Sequence, residues 1–163
     1  MQEPKHFGAV DPERVRRTLR PQPMHRKVIV RVVSKALIPY ILLFGLYVQF
    51  HGDFGPGGGF QAGAIFAAGL VLYGLIYGIR PLRQAVPGRV LERLFAGGVL
   101  LYGGTGLASF LRGGNFLDYG VLLYDPIHAR HEGLLLIELG VGLTVACVLT
   151  SIFYAFASWS PED

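Results

Sequence analysis

Sulfur and charge are both scarce in this chain. There is one cysteine, Cys147, which excludes an internal disulfide framework and a cysteine-cluster metal site. It reads as a small apolar residue inside a helix. Charged residues make up 16% of the sequence, against roughly 25% in soluble domains. The mean hydropathy is +0.43, and a chain of 163 residues has too little interior to hide that much apolar surface from water. No apolar h-region follows Met1, so no cleaved signal peptide is expected. No GK[ST] run, no nucleophile–base pattern and no paired catalytic carboxylates stand out. The chain does not read as an enzyme in its own right, and no cofactor is expected. The solvent that fits this composition is a lipid bilayer.

What is present follows an alternating plan. Of the fifteen Lys and Arg, nine lie before Ala36 and four between Arg80 and Arg93, leaving Arg112 and Arg130. Basic residues that recur at every second loop of an apolar chain follow the positive-inside rule, not a nucleic-acid footprint. The pattern predicts an all-α, multipass membrane protein: four transmembrane helices with both ends in the cytoplasm. Residues 1–27 form a polar, basic cytoplasmic extension, residues 28–159 the four-helix membrane domain and residues 160–163 a short tail. Within the extension, Asp11–Arg20 suits a short surface helix, with Asp11 as N-cap and Pro12 at the first helical position. It reads either as a docking segment for a partner or anionic lipid, or as a solvated tail.

The first helix has its uncharged core at Ala36–Phe50, extended by Val28–Val33, with Arg31 and Lys35 able to snorkel to the inner surface. The second runs from about Gly59 to Ile79 without a charge. Gly59, Gly63 and Ala67 make one small-residue row in it, and Gly74 and Gly78 a second; such rows let neighbouring backbones approach. Arg80–Arg93 reads as a basic loop. The third helix is expected over Leu94–Leu111, where five glycines, among them Gly97, Gly98 and Gly104, point to contact with partner helices. Arg112–Glu132 reads as the longest non-helical stretch, and the fourth helix as Gly133–Ala157, interrupted by Glu138 alone.

The densest signal is His51–Gly63, HGDFGPGGGFQAG, between the first two helices. Pro56 has no N–H and turns Gly55 away from the α region. Gly57, Gly58 and Gly59 permit positive φ and close backbone approach. The segment ends one helix, turns sharply and opens the next, beside His51 and Asp53. His51 suits a proton relay, since histidine exchanges protons near neutral pH, or a helix-end residue bonding the last carbonyls. Asp53 reads as a turn former. Gly57–Ala62 formally satisfies GxGxxA, but an apolar helix precedes it and no βαβ unit surrounds it.

Glu138 is the sharpest single residue. It follows Glu132 by six positions, or roughly 9 Å of helix. A carboxyl at that depth is costly unless it is neutral or paired, and intramembrane ionisable groups mark proton relays. The alternative is an interhelical hydrogen-bond anchor packed near Gly142. Gln61, Thr105 and Ser109 suit a polar strip with Glu138 or plain interhelical hydrogen bonds. His128 and His131, beside Asp125 and Glu132, are a conceivable metal pair, but two loop histidines read more simply as solvated, and no metal site is assigned.

Three stretches together resemble a known family: HG followed by PGGGFQ at His51–Gln61, FLDYG at Phe116–Gly120, and IELGVGLTV at Ile137–Val145. Their order and spacing are similar to the MnhB/MrpB family, small subunits of Mrp-type multisubunit cation/proton antiporters, over roughly Lys35–Phe156. The resemblance implies a small subunit of a Na+/H+ antiporter in a bacterial cytoplasmic membrane. Its partners would be other small subunits, the large complex-I-like subunits that carry the principal ion path, and membrane lipid. By motif, the matching residues are His51, Gly52, Pro56, Gly57, Gly58, Gly59, Phe60 and Gln61, then Asp118 in the outer loop and Glu138. The candidates for proton transfer are the two read from the residues themselves, Glu138 and His51. Related subunits of the MnhB type also occur in membrane-bound hydrogenase assemblies, so a non-conducting scaffold of such a complex is the alternative.

Overall fold

The computed structural model describes residues 28–52, 55–122 and 125–159. Among them every regular element is helical, and four helices are long and apolar enough to cross a membrane. The expected surface helix at Asp11–Arg20, the turn residue Asp53 and the acidic tail lie outside the described residues.

Helix α1 spans Val28–Phe50. Its 23 residues measure roughly 35 Å at 1.5 Å each, enough for a ~30 Å hydrocarbon core. Helix α2 spans Gly59–Tyr77. It stops two residues before the expected Ile79 because Gly78 leaves the helix at φ +100°, a value L side chains avoid.

The basic loop is more helical than its charges suggested. A short helix α3 occupies Ile79–Ala85, and α4 runs Gly88–Leu111, starting behind Pro87 and six residues before the expected Leu94. Arg89, Glu92 and Arg93 belong to the first turns of α4. Apolar runs report the part of a helix that suits lipid, and the polar turns beyond it are invisible to that criterion.

The same reason moves the last helix. Helix α5 spans Pro126–Ser158, 33 residues, so the final third of the stretch expected to be non-helical is helix. Pro126 lies at the first position, where its missing N–H costs nothing. The Asp125 carbonyl accepts the Ala129 N–H at 2.9 Å, and the Asp125 carboxylate meets His128 Nδ1 at 2.7 Å. A 3₁₀ turn at Tyr119–Val121 covers the base of α5.

The helices pack in the order α1–α2–α5–α4, with α1 touching α5 only lightly. Small residues set the close approaches. At the α4–α5 crossing, a Cβ on Gly98 would lie 2.7 Å from the Gly140 carbonyl, and one on Gly140 2.9 Å from that of Gly98. The first small-residue row of α2 turns toward α5, and Gly59, Gly63 and Ala67 are all buried. At Gly97, Gly103 and Gly104, by contrast, a Cβ would meet nothing within 4 Å among the described residues, which leaves one face of α4 open. Large apolar side chains such as Ile29, Leu100 and Phe156 stand more than 70% exposed. Water would tolerate no such surface, and lipid requires it.

At the basic end, Leu82, Leu91, Cys147 and Tyr154 form a buried cluster. The Tyr154 hydroxyl donates to the Val86 carbonyl at 2.7 Å, and the Arg83 guanidinium lies 5.3 Å from the Tyr154 ring centroid. Arg83 also donates to Ser158 Oγ at 3.2 Å, so α3 is tied down to the end of α5. Cys147 is free and buried, as its neighbours in sequence implied.

Candidate functional site: a carboxyl at the glycine turn

Glu138 lies three turns into α5, half-buried, facing the turn between α1 and α2. The glycines of that turn are what make room for it. A Cβ on Gly52 would fall 2.6 and 2.9 Å from the two Glu138 carboxyl oxygens. On Gly58 it would lie 3.3 Å from Glu138 Oε1 and 3.4 Å from Gln61 Oε1, so these two side chains converge on one point. On Gly59 it would collide with the Glu138 carbonyl oxygen and lie 3.0 Å from the Glu138 Cα. Helix α2 therefore begins directly against the backbone of Glu138.

Gly58 is buried and holds φ +127°, ψ 171°, a region open essentially to glycine alone. The Ala62 N–H bonds the Gly58 carbonyl at 3.0 Å and closes the first turn of α2. The N–H groups before it have no acceptor within the helix, and Glu138 Oε1 stands beside the residue that precedes them. Gly57 folds back on α1: its Cβ would meet the Val48 carbonyl at 2.9 Å.

One turn deeper a second pairing repeats the first. Gly142 follows Glu138 by one turn on α5, and Gln49 precedes Gly52 by about one turn on α1. The Gln49 Oε1 atom packs directly on Gly142, and a Gly142 Cβ would lie 3.0 Å from the Gly59 carbonyl. Gln49 is 7% exposed, and its Nε2 has no hydrogen-bond partner among the described residues. It borders a cavity of about 150 Å³ between α1, α2 and α5, together with Gly45, Gly63, Phe66 and Gly142. Sequence reasoning passed over Gln49, although an amide in a run of apolar residues, three positions before Gly52, is the signal that finds it.

The structure separates the other candidates. His51 is exposed at the end of α1, with its ring stacked on Tyr47 at 4.9 Å. Pro56 and Phe60 are exposed at the turn. Thr105 and Ser109 do not join the strip with Glu138. Each hydroxyl donates to its own helix, Thr105 to the Leu101 carbonyl at 2.8 Å and Ser109 to the Thr105 carbonyl at 3.0 Å. Asp118 is exposed at the start of the 3₁₀ turn and leans over Gly120, where a Cβ would lie 3.5 Å from Asp118 Oδ1 and 3.9 Å from Arg130 Nε.

The FLDYG stretch acts as a clamp. The Phe116 ring occupies the space that Gly106 of α4 leaves, and Tyr119 packs on Gly133 of α5. Burial, followed by neighbouring Tyr102, pushes the Tyr119 phenol above its ordinary pKa. No group of three His, Cys, Asp or Glu suited to a metal occurs among the described residues.

Four helices of spanning length, with a half-buried carboxyl on one of them set against the turn between the first two, define a multi-pass membrane protein. Residues 29–151 match the family described as "Domain related to MnhB subunit of Na+/H+ antiporter". The chain belongs to that family. It is similar to the "Putative antiporter subunit mnhB2" of Staphylococcus haemolyticus, 29% identical over 133 residues that cover 80% of this chain and 94% of the relative. The protein of the same name from Staphylococcus aureus strain MRSA252 is 30% identical over 135 residues, with the same coverage. A Bacillus subtilis protein, named as the B component of a Na(+)/H(+) antiporter, is 31% identical over 128 residues, covering 77% of this chain and 89% of that one.

Proposed function

We propose that the protein is a small subunit of a multisubunit Na+/H+ antiporter in a bacterial cytoplasmic membrane, and that Glu138 takes part in proton transfer. One observation carries the reading: the carboxyl is set against Gly52 and Gly58, at the turn that opens α2. An ionisable group in a spanning helix is expensive to keep, and pairs with a use. A carboxyl takes a proton on one oxygen and gives it up again, and Gln61 beside it can hydrogen-bond either form. His51, at the water-facing end of α1, is the candidate for exchange with the aqueous phase.

The basic residues favour both ends of the chain on the cytoplasmic side, with the glycine turn and Asp118 on the other. The open glycine face of α4 suits helices of neighbouring subunits, since small residues allow close backbone contact. A scaffold role draws support from the backbone contact of Gly59 with Glu138, which needs no carboxyl at all.

Two substitutions separate the readings. Glu138→Gln keeps shape and hydrogen bonding but exchanges no proton; Glu138→Ala removes both. With a relay, both variants assemble and lose antiport, measured as pH-gradient dissipation in everted vesicles. Full antiport by assembled Glu138→Gln complexes would leave the scaffold.

A further inference from the structure

Away from Glu138, the opposite ends of α1 and α2 enclose a groove of about 590 Å³, bordered by Arg31, Lys35, Ile38, Pro39, Tyr73 and Tyr77. The Arg31 guanidinium lies 5.2 Å from the Tyr77 ring centroid, and the Tyr77 hydroxyl donates to the Arg31 carbonyl at 3.1 Å. These contacts pin the two helices together and fix one positive charge at the mouth. Lys35 is one turn further along α1, exposed, with no carboxylate partner among the described residues. No Asp or Glu occurs in α1, α2 or α3, which together carry Arg31, Lys35, Arg80 and Arg83. Arg83 is engaged with Tyr154 and Ser158.

A lysine inside a spanning helix is stable only when its ammonium reaches the headgroup level or an anion. Here the cations border a groove whose walls are aliphatic and aromatic. That combination fits a molecule with an anionic head and an apolar tail, and basic pockets between membrane helices recognise such lipids. We propose that this groove binds one anionic phospholipid, with its phosphate between Lys35 and Arg31 and an acyl chain along Ile38, Pro39 and Tyr73. A free phosphate would gain nothing from the apolar walls. The inference rests on the chain spanning a bilayer and is independent of any role for Glu138.

The test uses the full chain, extracted in mild detergent with whatever subunits copurify, and native mass spectrometry to count bound lipid. Wild type should retain one phosphatidylglycerol per copy in preference to phosphatidylethanolamine, and added inorganic phosphate should not displace it. Lys35→Gln, which leaves the Tyr77 contacts in place, should lower occupancy at least tenfold, and Lys35→Arg should retain it. Equal occupancy in Lys35→Gln, equal retention of phosphatidylethanolamine, or displacement by phosphate would overturn the site. So would a carbodiimide cross-link from Lys35 to a carboxylate of a copurifying subunit.

Discussion

Replacing Gly52 by alanine puts a methyl group 2.6 and 2.9 Å from the Glu138 oxygens. Ordinary contact lies near 3.4 Å, so the carboxyl must retreat by roughly 0.8 Å. It can do so, because it is the far end of a flexible side chain. Replacing Gly59 by alanine drives a methyl into the Glu138 carbonyl and to within 3.0 Å of its Cα. Those are backbone atoms of a packed helix and cannot turn aside. The overpacking costs on the order of 1–3 kcal/mol or more. The two alanines therefore fail differently. With Glu138 as the proposed proton carrier, Gly52→Ala should assemble at near wild-type yield yet lose antiport by an order of magnitude or more, since a displacement near 1 Å at a reacting group costs up to about 10²-fold. Gly59→Ala should lower the yield of assembled complex itself. The assay is tagged-chain copurification for yield, followed by pH-gradient dissipation in vesicles matched for complex content. Wild-type antiport in Gly52→Ala would refute the claim that the position of the carboxyl matters. Normal yield in Gly59→Ala would refute the backbone contact between α2 and α5.

Three further outcomes follow from the same geometry. Gly58→Ala should destabilise the assembled protein by about 1–3 kcal/mol through its φ of +127°, read as a lower unfolding temperature of the purified complex; an unchanged temperature would remove the case for a special backbone there. Gln49→Leu should leave complex yield unchanged or raised, because it deletes a buried amide nitrogen without a partner among the described residues; a sharp fall in yield would mean that the amide is bonded in the assembly. With Cys147 replaced, a cysteine at Asp118 should react with impermeant reagent from outside the cell, and reaction from the cytoplasmic side alone would reverse the orientation drawn from the basic residues.

The sequence by itself determined the class of this protein. Apolar runs separated by basic loops leave a membrane-spanning helical chain as the physical solution, because backbone polar groups in lipid must bond within their own segment. It also marked Glu138, since one carboxylate in an otherwise apolar span is conspicuous, and the glycine turn, since Gly and Pro punctuate any helix. It misjudged where helices end. Arg89–Arg93 and Pro126–Glu132 are helical although polar, because hydropathy records the solvent a residue suits and not its backbone conformation.

What only the tertiary structure decided is which of these marks meet. Gly52 and Glu138 are 86 positions apart in sequence, and no local pattern says that one faces the other. The packing order α1–α2–α5–α4 makes that happen. It brings Gln49 onto Gly142 and leaves Thr105 and Ser109 bonded to their own helix. Nor does glycine content say which glycines are contacts: Gly98 sits against α5, while Gly97, its neighbour on the same helix, has open space beyond it. Residues adjacent in a helix point about 100° apart, so the direction of the partner helix alone separates a packing site from an open face.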